Sequence, residues 1–114
     1  MSDDGDDYRD LLVQKRFLGE IEQGIRLANR ELIHGAIPEL NKDVILTFAV
    51  AVGRLRASYL KAAVNMSVGE EGDKLGQEFI ADLKSKREKF QEAKTGFEAL
   101  VDAIEKGYID VEGL

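Results

Sequence analysis

A chain of 114 residues with 44% hydrophobic and 33% charged residues has the balance of one globular domain, and at this length roughly 65% of the unfolded surface can be hidden. The absence of Cys excludes disulfides, thiolate zinc sites and cysteine nucleophiles, and it suits a reducing cytoplasm, which is the compartment expected here. The net charge of −6 divides as −3 over residues 1–37, +2 over 38–66 and −5 over 67–114, so no region supplies the excess of Lys and Arg that phosphate binding requires.

The opening MSDDGDDYRD carries Asp where a secretory leader would need a basic stretch and an apolar run, so residues 1–7 are expected to be a flexible acidic segment. Asp6 and Asp7 can cap a first helix starting near Tyr8, because their charge is favourable at the positive end of the helix dipole. Leu11, Leu18, Ile25 and Leu32 recur every seven residues, interleaved with Ile21 and Ala28, and make one apolar seam. Gly35 then offers a C-terminal cap and Pro38 fits the first turn of a second helix, which puts helices over about 8–34 and 38–65. A link this short favours an antiparallel pair.

The second helix carries two seams. Ile45, Phe48, Val52, Leu55, Tyr59 and Ala62 form one, and Leu46, Val50, Gly53, Ala57, Leu60 and Val64 form another roughly 150° away. The apolar arc of roughly 240° exceeds what a helix with two neighbours needs. Its apolar run, Val44 to Gly53, is about half the length that crosses a bilayer, and no membrane role is expected. Ala49, Gly53 and Ala57, spaced by four, would let another helix approach closely.

The next break falls at Asn65 to Asp73, where a capping box of Ser67 with Glu70, or Asp73 itself, could start a third helix over about 70–106. Its seam is Phe79, Leu83, Phe90, Ala93, Phe97, Leu100 and Ile104, with Lys86 at a seam position where its stem can lie along the core while its head reaches water. Between Lys84 and Thr95 only Phe90 and Ala93 are apolar, which marks the middle of this helix as its weak point. Gly107 should end it, leaving a tail, 108–114, whose Tyr108, Ile109, Val111 and Leu114 can fold back over the bundle or dock into a partner. The fold expected is all-α, an antiparallel three-helix bundle over 8–107 with a short C-terminal tail.

Candidate chemistry is sparse. Glu31 and His34 match the E-x-x-H spacing of carboxylate-bridged metal bundles, but His34 falls roughly 155° from the seam and no second His exists to complete a site. Glu20, Glu22, Glu70, Glu71, Asp73 and Glu78 lack the spacing of a helical magnesium site, since Lys74 stands where a further carboxylate is needed. No phosphate loop or nucleophile elbow can be assembled. Lys84, Lys86, Arg87 and Lys89 are interleaved with Glu88 and followed by Glu92, the mixed pattern of a solvated face, so nucleic acid is disfavoured as a partner.

These features point to a non-enzymatic interaction or assembly protein, without catalytic residues, cofactor or metal, acting as a homodimer or through one protein partner. The interface expected is Leu46, Ala49, Val50, Gly53, Ala57, Leu60 and Val64, extended by Tyr108, Ile109 and Val111 of the tail. A small-ligand- or metal-binding helical protein is the alternative, and a nucleic-acid regulator a more distant one.

Overall fold

The computed structural model describes residues 3–68 and 76–114. It is all-α, with three helices: α1 (Asp3–Ala36), α2 (Lys42–Val68) and α3 (Gln77–Glu105). The chain divides into two compact units, each discontinuous in sequence. One is Met1–Glu39 with Ala103–Asp110, and the other is Leu40–Asp102 with Val111–Leu114.

The second unit is an α2–α3 hairpin. Phe48 meets Phe97 edge-on at 5.2 Å between ring centroids, and Tyr59 stacks with Phe90 at 6.2 Å. Numbers rise along α2 as they fall along α3, so the two helices run antiparallel. The first α2 seam faces this contact: Val52 and Ala62 are buried, and Ile45, Phe48, Leu55 and Tyr59 are half-buried. Every member of the α3 seam is half-buried and none is fully buried, which reflects a helix covered on one side only. The polar stretch in the middle of α3 is anchored by Phe90, whose ring takes Tyr59 and also lies under the Arg56 guanidinium at 5.1 Å. The Lys86 head reaches Asp82 one turn earlier at 2.9 Å, which lets its stem lie near the seam while its charge stays wet.

Helix ends differ from the expected punctuation. Helix α1 begins at Asp3 rather than near Tyr8, so Asp6 and Asp7 are helical residues near its N-terminus, where their charge still complements the dipole. It runs through Gly35 to Ala36, and the amide of Ile37 continues the pattern by donating to the carbonyl of Ile33 at 2.6 Å. Pro38 lies in the link and not in the first turn of α2. The cap is Asn41 instead, whose Oδ1 accepts the amide N–H of Val44 at 2.9 Å while its carbonyl accepts that of Ile45. Beside that cap, Leu40 is buried, and its carbonyl accepts the amide N–H of Glu112 at 2.8 Å, making a one-residue parallel bridge at Asn41.

The alternatives for the start of α3 rested on Ser67, Glu70 and Asp73. Of these, Glu70 and Asp73 lie outside the described residues, as do Glu71, Gly72 and Lys74. Helix α3 starts at Gln77, with the carbonyl of Gly76 accepting from Phe79 and Ile80.

Its other end is closed as expected, at Gly107. With φ at +75°, Gly107 donates its amide to Ile104 at 3.1 Å, and Tyr108 donates to Ala103 at 2.9 Å. This pair of bonds is the Schellman arrangement, which satisfies the last carbonyls of a helix and turns the chain back.

Candidate protein-binding surface

The surface is defined by which apolar faces each unit leaves uncovered. On α2, the first seam is against α3 while the second is open: Leu46 is 57% exposed, Val50 46%, Leu60 51% and Val64 58%. Ala57 is also exposed, and Ala49 and Gly53 are half-buried. A side chain built at Gly53 would meet nothing within 4 Å, whereas one at Gly96 of α3 would touch the ring of Phe48 at 3.7 Å. The two glycines therefore belong to different environments, one open and one inside the hairpin.

Helix α1 is a second exposed face. Its leucine seam, expected in the core of a bundle, is not covered within its own unit: Leu11 is 64% exposed, Leu18 59%, and Ile21, Ile25 and Leu32 are also open. Its half-buried residues are Asn29, Arg30 and Ile33, which lie to one side of that seam. A polar clasp ties α1 to the segment after α3 in the same unit. Arg30 donates through Nη1 to the carbonyl of Gly107 at 2.8 Å and to Asp110 Oδ1 at 3.2 Å, and through Nη2 to Asp110 Oδ2. This two-pronged pairing holds the Asp110 carboxyl below the usual carboxylate range and raises the Arg30 guanidinium. In both cases the hydrogen bond is the larger cause and the charge of the partner the next.

The clasp binds the tail to its own chain. Ile109 is 9% exposed, so it is removed from the docking surface for which it was a candidate, and Tyr108 and Val111 are half-buried. Folding back pairs the Glu112 amide with Leu40 and hides the side chain of Ile109, a gain that a protruding segment would forgo. Sequence reasoning missed Arg30 and Asp110 as a pair. They are 80 residues apart, and no periodicity links them.

A shallow recess of about 380 Å³ lies beside the clasp, lined by Glu22, Ile25, Arg26, Glu105, Lys106 and Tyr108. Its walls are mainly long charged side chains. His34, Glu31, Glu20 and Glu22 are exposed, and among the described residues no three His, Asp or Glu side chains are gathered as metal ligands would be. Among the described residues, no helix is long and apolar enough to cross a membrane. Compared with known protein families, curated proteins and solved structures, the chain matches none.

Proposed function

We propose that this chain is a non-enzymatic interaction protein that works through a helical interface, with a second copy of itself as the partner. The observation that carries this reading is the second seam of α2, a row of large aliphatic side chains left about half exposed while the opposite face of the same helix is packed on α3. Contiguous apolar surface of this kind marks an association site. The small residues Ala49, Gly53 and Ala57 along the same face suit close approach by another helix.

A further support is the modest extent of burial within the single chain. Among the described residues, the buried apolar side chains are Leu40, Val52, Ala62 and Ile109, and no large side chain is fully enclosed. Ordering a chain costs roughly 1–2 kcal/mol per residue in backbone entropy alone, which burial must offset. Association that hides the seam of α2 would add apolar burial at about 25 cal/mol per Å².

The test is the mass in solution by light scattering over a dilution series. A dimer that dissociates only at high dilution supports the reading, and a monomer at every concentration refutes the homodimer.

A further inference from the structure

We draw no further inference here: the strongest candidate, the second apolar seam of α2 from Leu46 to Val64, is an unpartnered helix face, and nothing in the structure shows what covers it.

Discussion

Helix α1 and the α2–α3 hairpin carry apolar patterns of the same kind, yet their packing differs. In the hairpin the first α2 seam and the α3 seam cover each other along their length, with ring contacts from Phe48–Phe97 to Tyr59–Phe90. In α1 the seven-residue seam is open from Leu11 to Leu32, and the helix is held near its C-terminal end by Arg30. A repeat of apolar residues fixes which face of a helix avoids water; it does not name the surface that covers that face.

The contrast can be broken most severely in the hairpin. Val52→Asp places a carboxylate at a position 5% exposed and should cost about 3 kcal/mol. Chemical denaturation would then show the hairpin's transition moved to much lower denaturant. The same substitution at Leu11 in the open seam should leave the single chain's helix content almost unchanged.

Gly107→Ala comes next. It adds a Cβ at φ +75°, where a left-handed residue is strained, and should cost roughly 1 kcal/mol. A thermal melt of a few degrees' difference would register it. Gly53→Leu should stabilise the single chain by a similar or smaller amount, since the side chain enters open space and replaces a poor helix former. Its informative effect is on association: the dimer should be lost in light scattering while helicity is kept. Unfolding on Gly53→Leu would instead place Gly53 in the chain's own core.

The smallest effect belongs to the clasp. Asp110→Asn removes the charge that pairs with Arg30, and faster amide hydrogen exchange is expected at Gly107 and Tyr108 with the α2–α3 amides unaffected. Acid should act in the same way. Because the folded Asp110 carboxyl is held below its ordinary value, its contribution is present above the usual carboxylate range and fades as pH falls through the depressed value. A pH series of exchange rates at Tyr108 that stays flat through that range would show the clasp contributes nothing.

How much of this was legible in the sequence follows from how local each signal is. Three helices, the two seams of α2, the position of Lys86 and the Gly107 stop are readable, because each is written in residues within a few turns of one another. The α2 start was misplaced because Pro38 is permitted in a first turn but does not compel one, whereas Asn41 supplies an actual acceptor to the Val44 amide. The open state of α1 was not readable, since the seam's exposure depends on which surface meets it. As for the candidate surface, exposure of the second α2 seam is consistent with the arc surplus. Whether the tail residue Ile109 folds back or docks was left open by the sequence, because burial of a tail depends on a clasp formed by residues far away in sequence.

That separation has a kinetic side. A contact spanning 80 residues closes a long loop, whereas the α2–α3 pairs can form as soon as both helices exist. During synthesis from the N-terminus, α1 emerges well before Gly107 and Asp110, the residues that its Arg30 pairs with. Closing the clasp leaves its leucine row uncovered, so throughout synthesis and afterwards this helix is the one most in need of a chaperone or an already finished copy.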